Sequence, residues 1–138
     1  MAISFLFKKE QSSLLGTIYR PIATVFFQNK KTEVFKPVTM IVDTGADYTL
    51  LPRFLAPTLG IDLNKDCQKL KTNGVGGKET VFFCQKKVKV KIGNWERKIP
   101  LGFINNDFIP PLLGRHKFFE TFQTVFDNRQ LIFSKSLK

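Results

Sequence analysis

Met40-Ile41-Val42-Asp43-Thr44-Gly45-Ala46-Asp47 is the stretch on which the reading of this chain turns. A run of apolar strand residues ends abruptly in a carboxylate, a hydroxyl and a glycine. Gly45 permits a sharp backbone turn beside the carboxylate, and the Thr44 hydroxyl is placed to fix the loop by a local hydrogen bond. Alone, the tripeptide Asp43-Thr44-Gly45 is also what an ordinary turn after a strand looks like. Two segments further along change its weight. Asn73-Gly74-Val75-Gly76-Gly77 puts three glycines around one valine in a region otherwise patterned as strand. Such a tip can adopt positive φ and swing as a hairpin, although a glycine-rich surface turn has the same composition. Pro110-Pro111-Leu112-Leu113-Gly114-Arg115 then gives two apolar residues, a glycine and an arginine, a pattern shared with any core strand that leaves through a glycine.

Around these segments the chain is patterned mainly as strands. Thr17 to Phe27 and Val34 to Val42 are rich in β-branched and aromatic residues and are separated by the polar Gln28-Asn29-Lys30-Lys31. Between Lys86 and Ile92 alternation is strict, with Val88, Val90 and Ile92 on one face and Lys87, Lys89 and Lys91 on the other. Gly93-Asn94 predicts a tight turn, with Trp95 to Phe103 returning as the partner strand. Asp127-Asn128 predicts a second turn, joining Thr124–Phe126 to Leu131–Phe133. Gly114 to Phe122 is patterned as a short helix, and Pro52 and Pro57 bracket another helical turn. The expected architecture is one small, mainly β domain whose sheet closes or folds on itself.

The chain has 138 residues, which fits one domain, and 43% of them are hydrophobic, enough for a core. No apolar run approaches the roughly 18–20 residues of a membrane-crossing helix. The apolar Met1–Phe7 is followed rather than preceded by Lys8 and Lys9, the wrong order for a secretory signal. Two cysteines, Cys67 and Cys84, and one histidine, His116, make poor material for a zinc site or a disulfide scaffold. Two reduced thiols in a cytoplasmic protein are the expectation, with no metal. The net charge of +11 raises nucleic acid as a partner. Yet the basic residues are scattered, and 17 lysines against 5 arginines describe a solvated face better than a phosphate-reading one.

Taken together and in order, about 30 and then about 40 residues apart, the three segments resemble the retroviral-type aspartic proteases, the retropepsins. The resemblance runs from about Tyr19 to Phe126. It implies a retropepsin-like barrel with one short C-terminal helix and a flap hairpin. Residues 1–13 then read as an N-terminal extension, 14–134 as the protease domain and 135–138 as a basic tail. By the same resemblance Asp43 is catalytic and Thr44 and Gly45 complete the active-site loop. Ala46, Asp47, Gly74, Val75, Gly76, Ile109, Pro110 and Leu112 bind substrate, and Gly114 supports the loop. Arg20-Pro21 looks like the family's N-terminal strand, which would send Arg20 to the partner subunit's Asp47 while Arg115 pairs with Asp47 in its own chain. A partly buried carboxylate so held would make loss of one arginine cost about 3–5 kcal/mol. The chain departs from compact viral members in its longer loop between Arg20 and Asp43 and in its continuation through Leu131-Ile132-Phe133. Those additions, with Met1 at the start, point to a cellular or bacterial relative.

This chemistry needs two carboxylates sharing one proton. Of eleven acidic residues only Asp43 stands in an Asp-Thr-Gly context, so the second carboxylate must come from another copy. A two-fold dimer would set Asp43 opposite Asp43. The implied activity is hydrolysis of extended peptides with bulky hydrophobic side chains near the scissile bond. No cofactor is needed, and the implied partners are a second copy and a peptide, with neither membrane nor nucleic acid. The competing reading is a noncatalytic module of the same fold that holds peptide or nucleic acid.

Overall fold

The computed structural model describes residues 2–74 and 77–135. Fourteen strands are described: β1 Ala2–Leu6, β2 Lys8–Ser12, β3 Gly16–Arg20, β4 Ile22–Gln28, β5 Phe35–Val42, β6 Thr49–Pro52, β7 Cys67–Gly74, β8 Gly77–Cys84, β9 Val88–Ile92, β10 Trp95–Ile99, β11 Leu101–Ile104, β12 Leu112–Leu113, β13 Phe122–Asp127 and β14 Gln130–Lys135. Nine of them form the main sheet in the order β10-β9-β4-β5-β12-β6-β11-β8-β7. A second sheet runs β1-β14-β13, and β2 and β3 make a separate hairpin.

Alternation accounts for the sheet. In β4, Ala23, Val25 and Phe27 are fully buried, whereas Ile22, Thr24 and Phe26 face outward. Val38, Met40 and Val42 of β5 and Val90 and Ile92 of β9 join them inside. The expected strand Thr17–Phe27 is broken at Pro21 into β3 and β4, and Trp95–Phe103 is broken at Pro100 into β10 and β11. In both places proline lacks the N–H that a continuous ladder uses. The two sheets are joined through aromatic rings. Trp95 of β10 stacks on Phe122 of β13 at 5.1 Å between centroids, and Phe122 meets Phe133 of β14 edge-on at 5.9 Å. Arg97 lays its guanidinium over the Phe122 ring at 4.5 Å, a cation–π contact that adds to the aromatic seam.

Residues 2–6, read in sequence as part of an N-terminal extension, form β1 and pair with β14 from Ala2↔Ser134 to Leu6↔Gln130. Ile3 packs against the β9–β10 turn so closely that a Cβ at Gly93 would lie 2.2 Å from its Cδ1; Gly93 also has φ +55°. The C-terminal helix expected over Gly114–Phe122 is realised as one 3-10 turn, Phe119–Thr121, preceded by Lys117 at φ 61°. Pro52 and Pro57 do enclose a helical turn, Arg53–Leu55, and a second, Pro57–Leu59, begins at Pro57 itself. A four-residue helix, α1 (Leu63–Asp66), was not evident in the sequence; the Asp62 carboxylate caps it by accepting from the Asn64 and Lys65 amides.

Candidate active site

Asp43 stands at the end of β5, and its loop is fixed from three sides. β12 runs parallel to β5 with Leu112 opposite Ile41 and Leu113 opposite Val42. The Ile41 amide donates to the Pro111 carbonyl at 2.9 Å and the Asp43 amide to the Leu113 carbonyl at 3.1 Å. From the other side, the Val42 amide donates to the Pro21 carbonyl at 2.9 Å. Beyond Asp43 the chain turns at once. The Gly45 amide donates to Asp43 Oδ1 at 2.9 Å and the Ala46 amide to the Asp43 carbonyl at 3.1 Å. The carboxylate is thus half-buried and held by its own loop, while Thr44 and Gly45 are exposed.

The Leu-Leu-Gly-Arg segment closes the other half of this support. The Arg115 amide donates to the Ala46 carbonyl at 3.0 Å and the His116 amide to the Asp47 carbonyl at 2.8 Å. A Cβ on Gly114 would lie 2.2 Å from the Tyr48 carbonyl carbon, so only glycine fits there. Its amide donates at 3.1 Å to Thr49 Oγ1, a side chain only 1% exposed. Thr49 escaped the sequence reading; its only signal was a hydroxyl at the start of an apolar strand. Burial pushes the neighbouring Tyr48 phenol up, and the Asp47 charge adds to this. The Tyr48 ring meets Phe83 of β8 edge-on at 5.2 Å, which ties the loop to the β7–β8 hairpin.

The expected Arg115–Asp47 ion pair is present within the chain. Its setting differs from the expectation, because the Asp47 side chain is 81% exposed and that of Arg115 46%. An exposed pair contributes about 0–1 kcal/mol, not the 3–5 of a buried one. Arg20 in this single chain pairs with Glu10 at 2.5 Å across the β2–β3 hairpin, and its guanidinium holds the Glu10 carboxyl below the usual carboxylate range.

An open hollow of about 400 Å³ lies beside the carboxylate, lined by Pro21, Ile41, Val42, Asp43, Thr44 and Phe126. Ile109, Pro110, Leu112 and Ala46, expected to bind substrate, are not among its walls. Pro21 and Phe126 are, brought from the two ends of the chain by β4 and β13. Gly74 pairs with Gly77 across the β7–β8 hairpin, whereas Val75 and Gly76 lie outside the described residues. A larger cavity of about 520 Å³ sits away from Asp43, with Lys30, Lys86, Lys87, Lys89 and Lys98 among its walls. Among the described residues, no group of three or more His, Cys, Asp or Glu side chains gathers as metal ligands would.

A family model described as "gag-polyprotein putative aspartyl protease" matches residues 35–119, which hold the Asp43 loop, the hairpin and the Leu-Leu-Gly-Arg segment. Among solved structures, a retropepsin-like aspartic protease from Rickettsia conorii superposes with TM-score 0.67 at 22% identity, over 94% of this chain and 97% of that one. EIAV protease in complex with the inhibitor HBY-793 superposes with TM-score 0.51 at 23% identity, over 77% of this chain and 88% of that one. No curated protein matches the sequence. The family match spans more than half of the chain, and both superpositions share its architecture: the protein belongs to the gag-type aspartyl protease family and has the retropepsin-like fold.

Proposed function

We propose that this protein is an aspartic endopeptidase, active as a homodimer, that hydrolyses extended peptides bearing bulky hydrophobic side chains near the scissile bond. One observation carries the reading: a half-buried Asp43 carboxylate, oriented by the Gly45 amide, at the wall of an open and largely apolar hollow. One chain supplies one such carboxylate, so catalysis needs a second copy with its Asp43 across a two-fold axis. Exposed Phe126 beside Asp43, and the edge strands β1 and β13 of the three-stranded sheet, are surfaces a second copy would cover.

In the dimer the two Asp43 carboxyls would share one proton, because carboxylates about 3 Å apart do not both ionise readily. The ionised member takes a proton from the attacking water while the protonated member donates to the carbonyl oxygen. The tetrahedral species then collapses as a carboxyl returns a proton to the departing amine. Thr44 would link the two loops across the axis. Gly45 and Asp47 would hold the substrate backbone as an added strand, under the β7–β8 hairpin acting as a flap. The expected rate profile is bell-shaped, because only the pair that shares one proton is competent.

The test is cleavage of a peptide library by the purified protein across pH, read by mass spectrometry, beside Asp43→Asn. Asparagine keeps an oxygen to accept from the Gly45 amide, so the variant should fold and bind while cleavage disappears. Equal cleavage by both proteins would overturn the proposal. Binding without cleavage by the wild type would favour the noncatalytic module.

A further inference from the structure

Cys67 and Cys84 take no part in the chemistry above, yet they face each other directly across the β7–β8 hairpin. Both are buried free thiols, each 6% exposed, with their sulfurs 3.6 Å apart. We propose that these two residues form a reversible redox site, oxidising within one chain to a disulfide that staples the base of the hairpin.

The ladder places them in the right kind of position. Antiparallel partners alternate between hydrogen-bonded pairs and pairs whose side chains stand closer, with Cα atoms about 4.5 Å apart. Just beyond the two cysteines, the Gln85 amide donates to the Asp66 carbonyl at 2.9 Å. That assigns 66/85 to the hydrogen-bonded kind and Cys67/Cys84 to the close kind. A Cα separation of about 4.5 Å falls inside the roughly 4.4–6.8 Å range of disulfides. The sulfurs need only approach to about 2.05 Å, a side-chain movement with the ladder kept. β7 is also an edge strand of the nine-stranded sheet and pairs only with β8 there. A covalent link at 67/84 would hold its base, leaving the Gly74↔Gly77 end, seven positions along, to move.

With a peroxide as oxidant the step balances as two displacements. The Cys67 thiolate attacks one peroxide oxygen, the O–O bond breaks, and the departing hydroxide takes the released proton and leaves as water. Cys84 Sγ then attacks the sulfenic sulfur, the S–S bond forms, the S–O bond breaks, and the oxygen leaves as water with the Cys84 proton. The two sulfurs together lose two electrons and the peroxide gains them. A dithiol reductant reverses the change. Burial pushes both thiols up, Cys84 furthest; Asp66 raises both, Asp62 adds to Cys67, and Lys30 pulls the other way. Reaction at neutral pH is therefore slow and quickens as pH rises.

The full chain is treated with hydrogen peroxide at pH 7 and pH 9, then digested without reduction and mapped by mass spectrometry. The expected product is a linked pair of peptides from one chain, containing Cys67 and Cys84, with a mass about 2 Da below their sum. It should form faster at pH 9 and vanish with dithiothreitol. Closing a loop of this length should raise the melting temperature by about 5–10 °C. Cys84→Ser should show neither the link nor the rise. Separate sulfinic acids on the two cysteines, links only between chains, or both thiols intact at pH 9 would each overturn the proposal, and the mapping needs only the wild-type protein.

Discussion

Replacing Gly114 with alanine should damage this protein more than adding one methyl group ordinarily does. The new Cβ would lie 2.2 Å from the Tyr48 carbonyl carbon, 2.3 Å from its oxygen and 2.7 Å from its Cα. All three are backbone atoms, so no side chain can swing away. The backbone itself is pinned on both sides, by the Asp43 amide on the Leu113 carbonyl and by the Arg115 amide on the Ala46 carbonyl. Relief must move one loop away from the other by about an ångström, and overpacking of this kind costs about 1–3 kcal/mol. That movement also breaks the Gly114 amide to Thr49 Oγ1 bond, leaving a buried hydroxyl unpaired at about 1–3 kcal/mol. A total of about 2–6 kcal/mol corresponds to a fall in melting temperature of about 7–20 °C for a chain of this size. Thermal and urea melts followed by circular dichroism measure it. Gly45→Ala is the control, because its Cβ would meet only Asp43 Oδ1 at 3.4 Å, an ordinary contact. A Gly114→Ala protein melting within about 2 °C of wild type, under 1 kcal/mol, would refute this account of the loop.

Two further outcomes follow from the ion pairs. Arg115→Ala should cost at most about 1 kcal/mol in the isolated chain, since the pair with Asp47 is exposed; a loss of 3 kcal/mol or more in urea melts of monomeric protein would show that the pair is not a surface one. The Lys30 ammonium, with the Asp62 amide, holds the Asp66 carboxyl below the usual carboxylate range. A depressed folded pKa gives stability that is present above the unfolded value and lost as pH falls through the folded one. The melting difference between wild type and Lys30→Met should therefore hold steady from pH 7 to about pH 5 and close below about pH 3; a difference unchanged at pH 2 would contradict it.

Local pattern made much of this molecule readable before its structure. Alternation at Val88, Val90 and Ile92 marks β9, and Gly93-Asn94 marks the turn into β10. The Asp43 loop was legible because its turn is made by residues adjacent in sequence, Gly45 on Asp43 Oδ1 and Ala46 on the Asp43 carbonyl. What escaped was nonlocal. Thr49 and Gly114 are 65 positions apart, and nothing in either neighbourhood announces their hydrogen bond. The walls of the hollow include Pro21 and Phe126, which only the assembled sheets bring to Asp43. The Arg115–Asp47 pair was foreseen, but its exposure depends on what packs around it, which spacing along a chain does not encode.

In the proposed dimer two Asp43 residues, one from each of two chains, make one active site. Mixing wild type with Asp43→Asn distinguishes this from a site made by one chain. Wild-type protein at fixed concentration is allowed to exchange subunits with a tenfold excess of the variant, and peptide cleavage is followed. Random pairing leaves only about one wild-type subunit in eleven with a wild-type partner, so activity should fall about tenfold. Activity that is unchanged by the excess variant, while co-purification through a tag carried only by the variant shows mixed dimers, would contradict the shared site.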